Sequence, residues 1–271
     1  MFIYKKETEK VELNQNNVLG IDPGLNNWLT CLSNVGTSFI IDGKHIKSMN
    51  RWYNKQLANI KENQPQGFWN NKLAAITEKR NRQVKDGINK AARIVINHCL
   101  ENNIGTIIFG WNKRHKDSIN IGQKNNSEFV PIPTARLKDR IAQLCEQYDI
   151  QFIETEESYT SKASFLDGDY LPTYGEKPDD WKPSGKRTKR GLYRVGYKWY
   201  YINADCNGAA NIIRKVSRTL GLDLSRLSRG ALTRPQRIKL WSANKIKIWS
   251  DGLSSRHETS LLESPVIHAG E

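Results

Sequence analysis

Short apolar runs alternate with turn residues in the first part of the chain. One apolar run covers residues 18–22 and stops at Pro23-Gly24, and two further β-like runs cover residues 28–33 and 38–41. Turn residues such as Asn34 and Gly36 separate these runs. Short apolar runs bounded by Gly, Pro, Asn and Asp are typical of strands joined by tight turns. The pattern therefore predicts three consecutive antiparallel strands.

The middle of the chain changes to a helical period. Residues 51–101 read as helical with an interruption at 64–67, and the apolar stripe of the second half consists of Val84, Ile88, Ala91, Ala92, Val95 and Cys99. A strand at 105–109, a helix at 133–149 and a strand at 150–153 follow. Three antiparallel strands followed by strands that are reached through helices form the plan of an RNase H-like fold. We therefore predict an α/β protein with a mixed sheet flanked by helices.

The last third of the chain is less regular. Residues 162–190 are rich in Gly, Pro, Asp and Lys and predict an irregular insertion, whereas residues 191–202 predict a hairpin. Asp205 then opens a helix with apolar residues at helical spacing, and no sustained period follows residue 220. The predicted organisation is a lead-in at 1–17, a core at 18–161 and 191–220 interrupted by the insertion, and a basic C-terminal extension at 221–271 that is partly disordered.

Composition and charge indicate the class of partner. The formal net charge is +14 and the isoelectric point is about 9.6, an excess that favours a polyanionic partner such as nucleic acid over an ordinary basic surface. The four cysteines lie far apart, form no CxxC pair and predict buried thiols in a reducing compartment. No apolar stretch is long enough to span a membrane, and the polar, charged N-terminus does not resemble a signal peptide. We expect a cytoplasmic protein without membrane partners.

Two aspartates stand where they could serve hydrolytic chemistry on a phosphodiester. Two divalent cations can activate a water and stabilise the leaving oxygen, and carboxylates are the ligands that hold such hard cations. Asp22 ends an apolar strand before Pro23-Gly24, and Asp205 opens a helix that is followed by small residues. Each has an ordinary alternative, because Asp22 could be a turn residue and Asp205 a helix N-cap.

Three segments taken together resemble one known family. They are Gly20-Ile21-Asp22-Pro23-Gly24, Tyr159-Thr160-Ser161 and the run from Asn203 to Ala209, with supporting residues Lys79-Arg80-Asn81 and Gly110-Trp111-Asn112-Lys113. The chain resembles the TnpB family, also called OrfB, over about residues 18–240. The resemblance implies a transposon-encoded, RNA-guided DNA endonuclease with a RuvC-like site that uses Mg2+, or Mn2+ in its place. The matching positions make Asp22 and Asp205 the first and third catalytic carboxylates, and DNA and a guide RNA the partners.

The chain departs from the family pattern at the second carboxylate. The family usually places a glutamate just after the strand that here continues as Gly110-Trp111-Asn112, and this chain has no acid there. The acid can instead stand at the end of the next strand, where Glu157 is the first choice and Glu156 the second for a metal ligand. Neighbouring strand residues point to opposite faces, so only one of them is expected to enter the site. The alternative is that these glutamates form a solvated strand end.

A second departure concerns zinc. The family commonly carries a four-cysteine zinc ribbon after the Thr-Ser motif, and here the insertion has no cysteine. We therefore predict that zinc is not a cofactor and that the insertion is held by packing, with Phe165, Tyr170, Trp181 and Tyr193 as candidates.

The chain is also short at its N-terminus compared with the full-length family. Recognition of guide and target by this polypeptide alone is therefore open, and the chain could be a truncated copy, a fragment or half of a split system. The alternative function is a catalytically impaired nucleic-acid-binding remnant or a repressor-like derivative, and a third hypothesis is a Holliday-junction-type resolvase that acts without RNA.

Clusters of basic residues are the candidate nucleic-acid contacts. The alternative in each case is a solvated charged surface. The residues are Lys79, Arg80, Arg82, Lys113, Arg114, Lys116, Lys186, Arg187, Lys189 and Arg190.

Overall fold

The computed structural model describes residues 11–112, 132–197 and 200–241. The chain divides into a compact unit, Met1–Leu240, and a second unit, Trp241–Glu271. Every described helix and strand lies in the first unit. The predicted contacts Lys113, Arg114 and Lys116 and the predicted disorder at the C-terminus lie outside the described residues.

A six-stranded mixed sheet forms the centre of the first unit. Its strands are β1 (Val18–Pro23), β2 (Asn27–Ser33), β3 (Ser38–Asp42), β4 (Thr106–Gly110), β5 (Gln151–Thr155) and β9 (Gln236–Ile238). Their order across the sheet is β5-β4-β1-β2-β3-β9. Strands β1 to β3 are antiparallel, whereas β4 pairs in parallel with β1, and β5 in parallel with β4. The predicted RNase H-like fold class is confirmed.

Five helices flank the sheet in the described residues: α1 (Lys44–Lys61), α2 (Asn71–Glu101), α3 (Thr134–Gln147), α4 (Ala204–Leu220) and α5 (Arg229–Thr233). The interruption predicted at 64–67 separates α1 from α2, and α1 begins seven residues earlier than residue 51. The Asn70 side chain caps α2 by accepting a hydrogen bond from the Leu73 amide, 2.8 Å away. No helix in the described parts of the chain is long and apolar enough to cross a membrane.

Helix α4 lies directly on the sheet because β1 has a glycine under it. A Cβ at Gly20 would stand 2.5 Å from Cγ1 of Ile213 and 2.7 Å from the carbonyl oxygen of Ala209. Such contacts are too short for a side chain, so only glycine allows this approach. The close packing buries Ala209, Ile212 and Ile213 completely and brings the N-terminus of α4 to the end of β1.

The insertion ends in a second, antiparallel sheet. Its strands are β6 (Lys186–Lys189), β7 (Leu192–Arg194) and β8 (Tyr201–Asn203), and their order is β6-β7-β8. The predicted hairpin is therefore confirmed as β7 and β8. Strand β6, however, lies in residues that were predicted to be irregular. The sequence did not reveal it because its four residues are all polar and exposed and give no alternating pattern.

Carboxylates, rather than packing alone, hold the insertion together. Asp167 accepts hydrogen bonds from the Ser184 hydroxyl at 2.8 Å and the Gly196 amide at 2.7 Å, and Asp169 accepts from the amides of Ser164 and Ser184. Although burial acts to raise it, the pKa of Asp167 is lowered by these donors. Asp169 thus ties the two ends of the insertion to each other, and Asp167 ties the insertion to the β7–β8 connection at Gly196.

The aromatic residues predicted to hold the insertion divide into two groups. Tyr193 is fully buried and Phe165 packs on the core, as expected. Tyr170, in contrast, is 63% exposed, and its backbone carbonyl accepts a hydrogen bond from the Trp181 indole. The prediction of a packing role for Tyr170 was therefore wrong, because most of this residue's surface stays exposed.

Two elements lie beyond Leu220 where the sequence pattern predicted none. Helix α5 and strand β9 both follow this point, and β9 pairs in parallel with β3 at the edge of the sheet. An edge strand of three residues is too short to show alternation in the sequence. The sheet consequently continues into the segment that the sequence marked only as basic.

Candidate active site

Asp22 lies at the end of β1, opposite Thr30 of β2. Burial raises the pKa of its carboxyl well above the ordinary value, the negative charges of Glu157 and Asp205 raise it further, and Arg187 lowers it. The charges of Glu157 and Asp205 therefore act on Asp22. Helix α4 leaves room for Asp22 because residue 208 is a glycine. A Cβ there would stand 2.5 Å from Oδ2 of Asp22.

Asp205 lies in the first turn of α4, but it is not the N-cap. The N-cap is Asn203, whose side chain accepts hydrogen bonds from the amides of Asp205 and Cys206, each at 3.0 Å. The alternative role considered for Asp205 therefore belongs to Asn203. The Asp205 carboxylate is one of the charges that raise the pKa of Asp22.

Both oxygens of Asp205 are held by the protein. Oδ2 accepts a hydrogen bond from Nδ2 of Asn27 at 2.6 Å, and Oδ1 forms an ion pair with Arg187 of β6. Arg237 of β9 extends this network, because its guanidinium donates to Oδ1 of Asn27 at 2.9 Å and to Asp42 at 3.0 Å. The edge strand thereby orients the amide that orients Asp205.

The two candidate glutamates after β5 separate clearly. Glu157 raises the pKa of Asp22, and its backbone is fixed by the Asn112 side chain and by the Thr160 hydroxyl, which donates to the Glu157 carbonyl oxygen at 2.8 Å. Glu156 forms an ion pair with Lys215 of α4. Burial acts to raise the pKa of Glu156, but hydrogen bonds from Lys215 and Ser158 lower it below its ordinary value. Of the two glutamates, Glu157 is therefore the one whose charge acts on Asp22, whereas Glu156 is engaged by Lys215.

Two asparagines of α4 explain the rest of the Asn203–Ala209 motif and its continuation. Asn207 donates to the carbonyl oxygen of Ala163 and accepts from the amide of Phe165, at 2.8 and 3.0 Å. Asn211 donates to the carbonyl oxygens of Thr160 and Ala163, each at 2.8 Å. Both side chains are buried. One face of the helix thus carries Asp205 into the site, while another anchors the loop that follows Glu157.

The carboxylates suit a divalent cation in their chemistry. Oxygen donors of this kind are the ligands that Mg2+ and Mn2+ prefer. Gly208 leaves a space beside Asp22 that a side chain would fill. Within residues 11–112, 132–197 and 200–241, the structure shows no group of three or more His, Cys, Asp or Glu side chains placed to hold a metal ion. All four cysteines are buried free thiols, as their spacing predicted.

The carboxylates open into a large basic cleft of about 1460 Å³. Asp22 and Asp205 lie in its lining together with Arg187 and Arg190 beside β6 and with Arg237 of β9. The other wall is formed by α1, which contributes Lys44, Lys47, Ser48, Arg51, Trp52, Asn54 and Lys55. The sequence analysis missed this wall. The cations at 44, 47, 51 and 55 recur every three or four residues, a helical spacing that could have revealed it.

The predicted basic contacts occupy different positions. Arg187 and Arg190 line the cleft, and Lys186 and Lys189 are exposed on β6. Lys79 is exposed on α2, whereas the Arg82 guanidinium pairs with Glu78 one turn away. Arg80 donates to the Asn50 side chain at 2.8 Å and lies over the Tyr53 ring. Arg80 thus joins α2 to α1.

Comparison with solved structures gives the fold. A cryo-EM structure of a Cas12f1-sgRNA-target DNA complex is similar with a TM-score of 0.52 and 20% sequence identity, over 73% of this chain and 50% of that chain. A cryo-EM structure of a CRISPR-Cas12f ternary complex has a TM-score of 0.49 and 20% identity, over 77% of this chain and 40% of that chain. The chain therefore spans about half the length of the first of these proteins.

Comparison with sequence families gives the relationship. No curated protein matches the sequence. The family model OrfB_IS605, described as a probable transposase, matches residues 1–116, which include Asp22 and the α1 wall of the cleft. The resemblance predicted from the motifs is therefore confirmed over residues 1–116, where the chain is similar to the OrfB_IS605 family of probable transposases.

Proposed function

We propose that this protein is a metal-dependent DNA endonuclease of the TnpB type, in which Asp22, Glu157 and Asp205 form the catalytic site. The observation that carries the proposal is the position of Asp22 and Asp205 together in the lining of the basic cleft, and the charges of Glu157 and Asp205 both raise the pKa of Asp22. Acids that share a buried position are costly unless a cation joins them, and such groups mark functional sites. The basic cleft around them supports a polyanionic substrate.

The chain's own residues divide the work of phosphodiester hydrolysis. Bound Mg2+ would activate a water and stabilise the leaving oxygen. Asp22, Glu157 and Asp205 would hold it with their carboxylate oxygens. Arg187, beside Asp205, presents guanidinium donors of the geometry that binds a phosphate, and Arg190 lies in the same lining. Asn27 and Arg237 keep Asp205 oriented.

The proposed partners are DNA and a guide RNA. The solved complex with a similar fold contains sgRNA and target DNA, and the net charge of +14 suits such partners. Because the chain spans half of that protein, guide and target recognition would involve regions outside the part that matches.

A cleavage assay with controlled metal tests the proposal. The protein, purified with the RNA that accompanies it, is incubated with single-stranded and duplex DNA in EDTA, Mg2+ or Mn2+. Cleavage is expected with either metal and none in EDTA. Tight binding of DNA or RNA without cleavage under both metals would instead support the second candidate, a nucleic-acid-binding remnant, which is motivated by the missing acid after Gly110.

Substitution of Gly208 by alanine is expected to lower cleavage by about 100-fold, the scale of loss from a 1 Å misplacement in an active site. The added Cβ would stand 2.5 Å from Oδ2 of Asp22, so the carboxylate must turn away. Gly230→Ala is the matched control, because the nearest atom to its Cβ is the Ser228 hydroxyl at 3.7 Å. Initial cleavage rates and melting temperatures are compared. Equal cleavage by both variants would contradict the assigned position of Asp22.

Substitution of Arg237 by alanine is expected to weaken Mg2+ binding and cleavage by about tenfold, as loss of an orienting partner behind a metal ligand typically does. Without Arg237, the Asn27 amide loses the donor that sets its orientation towards Asp205. The control is Lys239→Ala, which removes an exposed cation two residues along. Mg2+ titrations of the cleavage rate measure the effect, and higher Mg2+ should restore the rate of Arg237→Ala. An equal loss in both variants would indicate general electrostatics instead.

A further inference from the structure

An exposed tryptophan stands in the wall of the cleft. Trp52 of α1 is 48% exposed and lines the same cleft as Asp22 and Asp205. A single exposed aromatic residue needs no explanation by itself, so the residues around Trp52 decide whether its ring has a binding role.

The surroundings of Trp52 identify that partner by charge. Helix α1 contains no acidic residue over its 18 positions, and its cleft face presents Lys44, Lys47, Arg51 and Lys55 around the ring. The opposite side of the helix is used for packing, because Ile46 and Asn50 are buried and Tyr53 hydrogen-bonds Thr77 of α2 at 3.0 Å. The cleft face is therefore cationic and aromatic together, a combination that fits a nucleic-acid strand better than an apolar peptide or a membrane.

The chemistry of an indole ring selects the type of strand. Bases in a duplex stack on their neighbours and do not offer a face to a side chain, whereas the bases of an unpaired strand do. Lysine and arginine at one-turn spacing can follow the phosphates while the ring accepts a base.

We propose that Trp52 is a base-stacking residue of a binding subsite for unpaired nucleic acid on the α1 wall, beside the catalytic carboxylates. The subsite holds a strand by one stacked base and by phosphate contacts to the neighbouring cations. The proposal rests on the nuclease function for the identity of the substrate, but binding tests it without any cleavage.

The experiment measures the binding of a fluorescent oligothymidylate of about 12 nucleotides, a length within the range of known single-strand sites. Fluorescence anisotropy is recorded in EDTA at one fixed salt concentration, so that no cleavage occurs. Trp52→Ala is expected to raise Kd on the order of tenfold, and Trp52→Phe to recover most of the affinity. Trp69→Ala is the matched control, because Trp69 is 55% exposed but is not among the residues that line the cleft.

A second set of oligonucleotides separates stacking from charge. Abasic sites keep the phosphates and remove the bases, so they should weaken binding to the wild type and to Trp69→Ala but cause no further loss in Trp52→Ala. A duplex of the same length should bind Trp52→Ala and wild type alike, and oligouridylate shows whether the strand can be RNA. Unchanged Kd in Trp52→Ala, or an equal abasic penalty in all variants, would overturn the proposal. If either result is obtained while Mg2+-dependent cleavage persists, the stacking proposal fails but the nuclease proposal stands.

Discussion

Substitution of Asp22 by asparagine is expected to abolish metal-dependent cleavage and, at the same time, to raise the melting temperature of the protein in EDTA. Loss of the carboxylate removes a metal ligand, so the cleavage rate should fall on the order of 10³-fold or more. The stability should rise because the ionised Asp22 is buried and is repelled by Glu157 and Asp205. Each kcal/mol of repulsion relieved corresponds to about 2 to 4 °C in a domain of this size.

The pH dependence gives the sign of this effect. The pKa of Asp22 is raised by burial and by its acidic neighbours, so the folded protein binds a proton more tightly there than the unfolded chain does. Stability from this group is therefore present at low pH and is lost as the pH rises through the raised pKa of the folded state. The gain in melting temperature from Asp22→Asn should accordingly grow with pH. Thermal melts of both proteins in EDTA at a series of increasing pH values measure this gain.

Asp42→Asn provides the control for this experiment. Asp42 lies at the end of β3, as Asp22 lies at the end of β1, but its surroundings are favourable. The Asp42 carboxylate pairs with the Arg237 guanidinium at 3.0 Å and accepts a hydrogen bond from the backbone amide of Lys44 at 2.8 Å. The same substitution there removes favourable contacts and should lower the melting temperature. Addition of Mg2+ should stabilise the wild type and leave Asp22→Asn unchanged. A fall in melting temperature of Asp22→Asn in EDTA would contradict the unfavourable environment inferred for its carboxylate.

The central sheet could be predicted because its strands are buried and therefore apolar. Strands β1 to β4 lie within completely or largely buried runs, and the turns between the first three contain Gly24, Asn26, Asn34 and Gly36. Helix α2 carries one continuous apolar face. In each case local sequence and tertiary burial require the same residue types, so the local pattern was sufficient.

The elements that the sequence did not reveal consist mostly of polar residues, which give no hydrophobic pattern. Strand β6 reads Lys-Arg-Thr-Lys, and its strand conformation comes from pairing with β7 rather than from burial. Strand β9 exists because β3 has a free edge, and that edge is contributed by residues almost 200 positions away. Its arginine then reaches Asn27. Pairings of this kind depend on where the sheet ends in space, which no local pattern encodes.

The site residues divide in the same way into those that the sequence indicated and those that it did not. Asp22 and Asp205 could be selected because each stands at the end of a regular element. Asn27 and Arg237, which orient Asp205, could not, because an asparagine after a turn and an arginine in a basic segment are ordinary residues. The choice between Glu156 and Glu157 was open in the sequence for a related reason. Both follow β5, and they differ in the structure because Lys215 of α4 pairs with Glu156 while the charge of Glu157 acts on Asp22.

Separate substitutions of these two glutamates by glutamine are expected to give opposite results. Glu157→Gln should lower cleavage on the order of 10³-fold, because it removes a carboxylate that acts on Asp22, and should leave the melting temperature equal or higher. Glu156→Gln should keep most of the cleavage and lower the stability. Its partner Lys215 has a side chain only 9% exposed and would lose its counter-charge, while Glu156 itself is 32% exposed. We expect the free energy of unfolding to fall by about 1 to 2 kcal/mol, because solvent screens this ion pair in part.

The two glutamine variants are matched in chemistry and adjacent in the chain, so each serves as the other's control. Cleavage rates in Mg2+ and melting temperatures in EDTA are measured for both. If Glu156→Gln abolishes cleavage while Glu157→Gln retains it, the assignment of the second carboxylate is reversed. If neither changes cleavage while Asp22→Asn abolishes it, the acid needed beside Asp22 and Asp205 is neither of these two. The comparison thus decides whether the carboxylate missing after Gly110 is replaced at the end of β5.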